Sequence, residues 1–283
     1  MRSNLISMHI HRKIDVAVIE SFIAKFAAKY VAQREQTQFD FSTLDTSFLY
    51  EKTGFNTDKI QEIIRKNAVP IDLKREAGLT PAILNDIYRS DLGELLMTYY
   101  FEEKLPEGER FIIPLKNITF RELANLPGRG LDAIGYRLDE DKIEVLLGEA
   151  KVSEEKKSPP AVVDVTDDSI FKAHEKHHKN KNVVIGKLSD YVRRLNGHDA
   201  TMIGAVVVMM EQNIAYGYSM TYGCTLIRDH TCVNEISDFG KMKDNSNDFT
   251  PHKIHFSVLS FTGKTISETV DLFYKKVQEL ITG

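Results

Sequence analysis

Near the middle of the chain, two acidic residues and a lysine have the types and spacing that phosphodiester hydrolysis requires. The stretch Val145-Leu146-Leu147-Gly148-Glu149-Ala150-Lys151-Val152 begins as an apolar strand and ends with a carboxylate and an ammonium two residues apart. The strand period of two sends Glu149 and Lys151 to the same face. Charges at the end of an apolar strand are costly unless partners compensate, and a bound cation is such a partner. Upstream, Asp139-Glu140-Asp141-Lys142 reads as a polar turn between strands at Leu131 to Arg137 and Ile143 to Val152. A symmetric turn centred between Glu140 and Asp141 sets Asp132 opposite Glu149. Like charges at a cross-strand Cβ separation of about 4.5–5.5 Å destabilise the pair, and a bridging divalent ion reverses the sign of that effect. Mg²⁺ fits a site of one or two carboxylates completed by water and phosphate, with Mn²⁺ as a substitute.

Hydrolysis of a phosphodiester needs neutralised phosphoryl oxygens, an activated water and a means of holding both in line. In this reading Asp132 and Glu149 hold the metal, the carbonyl of Ala150 is a further ligand, and Lys151 orients the water and offsets developing negative charge. Each residue has a plainer reading too. Asp132 could close a turn after Gly128 and Gly130, and Glu149 with Lys151 could be an exposed strand-end pair worth under about 1 kcal/mol.

Asp132 followed by Glu149-Ala150-Lys151 resembles the core of the PD-(D/E)XK nucleases. These carry a glutamate on the helix before the hairpin, and Asp91-Leu92-Gly93-Glu94 stands where that helix is expected. The resemblance therefore implies Glu94 as a fourth catalytic and metal-binding member. The proline usual before the aspartate is absent here, where the chain reads Gly130-Leu131-Asp132. More closely, the runs from Ser90 to Leu96, from Gly128 to Tyr136 and from Leu147 to Lys151 together resemble HamA, the nuclease-subunit family of the Hachiman anti-phage system, over residues 85–283. That resemblance implies an α/β fold with a PD-(D/E)XK-like mixed sheet flanked by helices, a Mg²⁺-dependent deoxyribonuclease activity, and a helicase subunit (HamB-like) as heteromeric partner.

The surrounding elements must position these residues. Val16, Ile19, Phe22, Ile23, Phe26, Tyr30 and Val31 predict a helix over 15–33, after a short apolar segment from Leu5 to Ile10. A second helix is expected at 57–67 behind a cap at Asn56 or Thr57. A third starts at Thr80-Pro81 and runs to about Glu103, with a candidate break near Ser90. Phe111-Ile112-Ile113 is a short apolar run. Beyond the hairpin come a helix at 183–196, the apolar segment Met202 to Met210 read as a central strand buried on both faces, a strand from Lys253 to Phe261, and a closing helix from about Ser267. The order is α/β, with an N-terminal mostly helical region at 1–80 before a nuclease domain at 81–283.

The 283 residues carry 42% hydrophobic and 28% charged side chains, the balance of an ordinary globular protein. Two cysteines make no disulfide framework, and neither a membrane-length apolar run nor a signal-peptide core is apparent, so a cytoplasmic location is expected. The formal charge of −4 predicts weak unaided affinity for DNA, which points to assistance by a partner. Lys172 to Lys187 is locally basic and interleaved with histidines. It reads as a solvent-facing loop, with Lys172 and Lys187 as candidate nucleic-acid contacts. Within it, His174-Glu175-Lys176-His177-His178 is a literal HExxH, the basis of an alternative reading as a zinc hydrolase, although its lysine-rich surroundings are unlike a buried zinc helix. A catalytically inactive partner-binding or DNA-binding module on a nuclease-like core is the other alternative. Gly128, Gly130 and Gly135 do not match a dinucleotide fingerprint, and Cys224, His230 and Cys232 supply only three candidate metal ligands.

Overall fold

A five-stranded sheet in the order β1-β5-β4-β3-β2 organises the chain. The computed structural model describes residues 9–16, 19–38, 45–68, 82–116 and 131–282. Its strands are β1 (Ile10–Val16), β2 (Ala133–Asp139), β3 (Lys142–Ser153), β4 (Tyr218–Asp229) and β5 (Lys253–Phe261). Only the β2–β3 pair is antiparallel; β3–β4, β4–β5 and β1–β5 are parallel. The helices are α1 (Ile19–Gln38), α2 (Thr46–Thr53), α3 (Thr57–Ala68), α4 (Ala82–Tyr99), α5 (Ala161–Asp164), α6 (Ile170–Lys179), α7 (Lys181–Val192), α8 (Gly197–Glu211), α9 (Gly240–Asp244) and α10 (Ile266–Thr282). None of the helices, among the described residues, is long and apolar enough to cross a membrane.

Alternation along each strand sorts the core into two layers. Val145, Leu147, Met220, Tyr222, Cys224, Leu226, Ile254, Phe256 and Val258 pack under α5 to α9. From the same strands, Leu146, Ala150, Ile227, Leu259 and Phe261 meet α1, α4 and α10 on the other face. The hairpin has the register expected from its turn, with Ala133 opposite Gly148 and Asp139 opposite Lys142. Gly135 lets the segment at 112 approach β2, since a Cβ there would lie 2.9 Å from the Ile112 carbonyl. Ile112 and Lys116 accordingly bridge to Tyr136 and Ala133 along the outer edge of β2.

The expected helices at 57–67, before the hairpin, at 183–196 and at the C-terminal end are present, as is the strand at 253–261. Asn56 caps α3 by accepting from the Lys59 N–H at 2.9 Å. The third helix runs unbroken past Ser90 and closes in a π turn over Tyr100–Lys104; its expected start at Thr80-Pro81 lies outside the described residues, as do Leu5 to Met8 of the first apolar segment. Two expectations are corrected. Met202 to Met210 is not a strand but most of α8. Met202, Ile203, Val206 and Met210 are buried at helical spacing, but the outward residues Val207, Val208 and Met209 are apolar too, so the run has no sequence periodicity to tell the two structures apart. The central position belongs instead to β4, where the buried polar residues Thr221, Thr225 and Arg228 mask the strand pattern. The basic stretch from Lys172 to Lys187 is not a loop but the pair α6 and α7, joined at Asn180, whose side chain accepts from the Val183 N–H.

The N-terminal end differs in one respect from a purely helical reading. Residues 10–16 form β1, because pairing with β5 from Ile10↔His255 to Val16↔Phe261 outweighs local helical pattern. α1 then packs on α10, with Tyr30 against Phe273 at a ring-centroid distance of 5.5 Å. Phe273→Ala should cost about 3–5 kcal/mol, the usual range for emptying a buried aromatic site, and chemical denaturation would measure it. A loss below about 1 kcal/mol would show that the α1–α10 contact carries little of the stability.

Candidate active site

The carboxyl half of β3 brings Glu149 and Lys151 to the face covered by α5 to α9, the same face to which Ile134 and Tyr136 of β2 point. Asp132, two residues before Ile134, shares it. Its backbone N–H donates to the Gly148 carbonyl at 3.2 Å, and its Oδ2 accepts from the Ala150 N–H at 2.7 Å, which clamps the side chain to the strand that carries Glu149. Oδ1 is left for another ligand. Lys151 Nζ lies 3.1 Å from Glu149 Oε1 and 3.0 Å from Asp168 Oδ2.

These groups perturb one another strongly. Burial raises the Asp132 carboxyl to about 6, although the Ala150 N–H, Lys151 and Lys187 work in the opposite direction. Burial and the adjacent Asp132 charge push Glu149 up to about 8, against the pull of Lys151 and Lys187. Burial alone would lower the Lys151 ammonium; Glu149, Asp168 and Asp132 outweigh it and hold the pKa above its usual value. Two neighbouring carboxylates that resist ionisation together, beside a lysine held charged, fit a hard divalent cation and its phosphate ligand. No group of three or more His, Cys, Asp or Glu side chains suited to a metal occurs among the described residues. A site here therefore draws on Asp132, Glu149 and a backbone carbonyl such as that of Ala150, with water completing the shell.

The second layer supplies Lys187. It sits on α7, whose Tyr191 hydroxyl accepts from the Leu115 N–H at 3.0 Å and lies 2.8 Å from the Ile134 carbonyl, fixing the helix against β2. One turn earlier on that helix, Lys187 is close enough to act on both Glu149 and Asp132; burial lowers its pKa and those two carboxylates partly restore it. Lys172 is placed differently. Its Nζ donates to the Val165 carbonyl and to Asp167, so it braces the loop that presents Asp168 to Lys151. Asp168 was not anticipated, because Asp167-Asp168-Ser169 reads as an ordinary helix start and Ser169 does cap α6.

Glu94 is buried on α4, which packs against the other face of the sheet. Gly93 makes that approach close, with a Cβ there meeting Val152 at 3.0 Å and Ala150 at 3.9 Å. The structure thus brings Asp132, Glu149, Lys151 and Lys187 together and sets Glu94 on the helix behind Ala150. The HExxH residues form a different environment. His174 and His178 flank Tyr222, at ring distances of 5.1 and 6.0 Å, while Glu175 pairs with Lys179 at the surface and faces away from them. Burial drives His174 down to about 3 and His177 to about 4, so both imidazoles are neutral. Cys224 is a core residue of β4 and Cys232 a partly buried free thiol.

The HamA family model matches residues 8–277. The chain belongs to the HamA family. No curated protein and no solved structure shows a significant match. Membership associates this HamA-family chain with the Hachiman defence system and its other subunits.

The raised carboxyl pKa values of this candidate centre carry a definite sign. A carboxyl raised in the folded state contributes stability below its unfolded pKa and loses it as pH climbs through the folded value. Without divalent metal, the melting temperature of wild type relative to Asp132→Asn should fall as pH rises from about 5 to about 8, a comparison in which the buried histidines, whose lowered pKa values act in the opposite direction, cancel. Added Mg²⁺ should restore it, more at pH 8 than at pH 6. Asp132→Asn should melt higher than wild type without metal at pH 8 and respond less to Mg²⁺, as calorimetry with and without EDTA would register. A wild-type melting temperature that stays constant or rises relative to Asp132→Asn across this range would contradict the assigned repulsion.

Proposed function

We propose that the chain is a metal-dependent deoxyribonuclease that acts in the cytoplasm as the effector of a helicase-coupled anti-phage complex. The observation that carries this reading is the facing pair Asp132 and Glu149, both raised, with Lys151 ion-paired to Glu149 on the same strand face. When bound there, Mg²⁺ or Mn²⁺ acts as Lewis acid and lowers the pKa of a bound water.

The chain's own residues do the rest. Asp132, held by the Ala150 N–H, keeps one oxygen directed at the cation site. Glu149 accepts a hydrogen bond from Lys151 and offers its second oxygen. Lys151 turns from Asp168 toward the scissile phosphate, where its charge offsets the negative charge developing on the phosphoryl oxygens. Lys187 approaches the same carboxylates from α7 and is suited to a neighbouring phosphate oxygen, while Lys172 steadies the loop and meets DNA at the rim. Glu94, on α4 at the other face of the sheet, is kept as the fourth member that the PD-(D/E)XK resemblance implies. The net charge of −4 leaves little general attraction for a polyanion, which supports delivery to DNA by a helicase subunit.

Lys151→Ala should reduce plasmid degradation in Mg²⁺ by about a hundredfold or more, the usual cost of removing a group that stabilises developing charge, and should leave co-purification with the helicase subunit intact. EDTA should abolish cleavage. Retained cleavage in Lys151→Ala would move the centre elsewhere. Equal rates for wild type alone and in complex would end the partner-dependence. Glu94→Gln should weaken cleavage with little change in melting temperature, and full activity would remove Glu94 from the mechanism.

A further inference from the structure

A second polar site lies on the opposite face of the sheet and at its other end. Glu144 is five residues before Glu149 on β3, about 17 Å along the strand, and points toward the α4 side. It is 1% exposed, yet it accepts from Arg137 Nε at 2.9 Å, from Lys253 Nζ at 3.2 Å and from the Thr221 hydroxyl. Arg137, Lys253 and Glu144, with Asp139, His255 and Arg12, line a cavity of about 700 Å³. A buried carboxylate held between two cations is a poor device for stability, because desolvation offsets the Coulombic gain. It does make a fixed, polar wall.

At Arg12 this cavity meets a second hollow of about 250 Å³, lined by Ile14, Leu96, Leu259 and the rings of Tyr99 and Tyr100. The Tyr100 hydroxyl pairs with His255 Nε2 at 2.7 Å, so one hydrogen bond links the two hollows. Cations gather around the aromatic end. Lys25, Lys29 and Lys104 stand 5.0, 5.6 and 5.3 Å from the Tyr99 ring centroid. Glu103 pairs with Lys25 and Lys29, whereas Lys104 and Arg12 are exposed at the mouth. In a chain of net charge −4, Lys104 and Arg12 supply the positive charge at the mouth of this aromatic slot.

We propose that this groove is a non-catalytic binding site for a nucleoside phosphate. The apolar slot between Tyr99, Tyr100 and Leu259 accepts the base, since base–aromatic contact is favourable and tolerant of base identity. Arg12 and Lys104 take the phosphate through charge-assisted hydrogen bonds. A lipid chain does not fit, because the apolar slot is short and opens into charged walls. A metal ion does not fit, because Glu144 is already occupied by Arg137, Lys253 and Thr221. The same chemistry could come from a free nucleotide or from the phosphorylated end of single-stranded DNA, and the site does not depend on the nuclease reading.

The test uses the full chain in EDTA, so that metal-dependent cleavage is silent. Fluorescent ATP and dAMP analogues and a labelled 5′-phosphorylated oligothymidylate are titrated by anisotropy, with inorganic phosphate as competitor. Saturable binding is expected, weakened about tenfold or more in Arg12→Glu and in Lys104→Glu. Both positions are exposed, and unchanged melting would show that the variants fold. Asp132→Asn should bind as wild type does. Binding of the mononucleotides alone identifies a free nucleotide as the ligand, and tighter binding of the oligonucleotide identifies a strand end. No saturable binding, binding indifferent to both charge reversals, loss of binding in Asp132→Asn, or displacement by phosphate as effective as by ATP would each overturn the proposal.

Discussion

Two negative charges that repel each other govern the architecture around the candidate centre. The hairpin register sets Asp132 beside Glu149, and the surrounding side chains exclude the water that would screen them. The fold does not relieve this strain by separating them. It adds an N–H from Ala150, a salt bridge from Lys151 and a more distant charge from Lys187, and both carboxyls still sit above their usual values. A sheet selected only for stability would place an apolar pair at these positions. The cost is borne where the antiparallel strand β2 joins the four parallel strands of the sheet.

The centre was legible because its signal is local. Glu149 and Lys151 interrupt an apolar strand at an interval of two, and the turn at 139–142 sets the register that brings Asp132 to them. Lys187 could be suspected from charge alone, but its direction depends on α7, which Tyr191 anchors through contacts more than fifty residues away in sequence. Asp168 carried no signal, since an aspartate before a helix cap has an adequate structural explanation. Glu94 shows the limit of motif reading: the spacing found a buried carboxylate on the expected helix, while its relation to the other three depends on how the sheet twists around Ala150.

The errors in reading the fold have one cause. β4 is buried along both faces, and α8 stays apolar on its outer face, where Val208 is exposed, so neither shows the alternation that separates strand from helix. In β4 the inward residues include Thr221, Thr225 and a fully buried Arg228 paired with Asp238, so the most central strand looks the least like one. α6 presents the opposite case. Its lysines suggested a solvated loop, yet His174 and His177 are almost wholly buried beneath them because a helix keeps its two faces separate.

The order of the strands has a consequence for synthesis. β1 is made first but pairs only with β5, so Ile10 must wait for His255 before its backbone groups find their partners. At about 5–20 residues per second on the ribosome, that interval is roughly ten to fifty seconds. During this time α1 also lacks its packing surface on α10. The β1 segment is thus exposed to chaperones and proteases for that interval, and the sheet that carries the carboxylate pair closes only once β5 has been made.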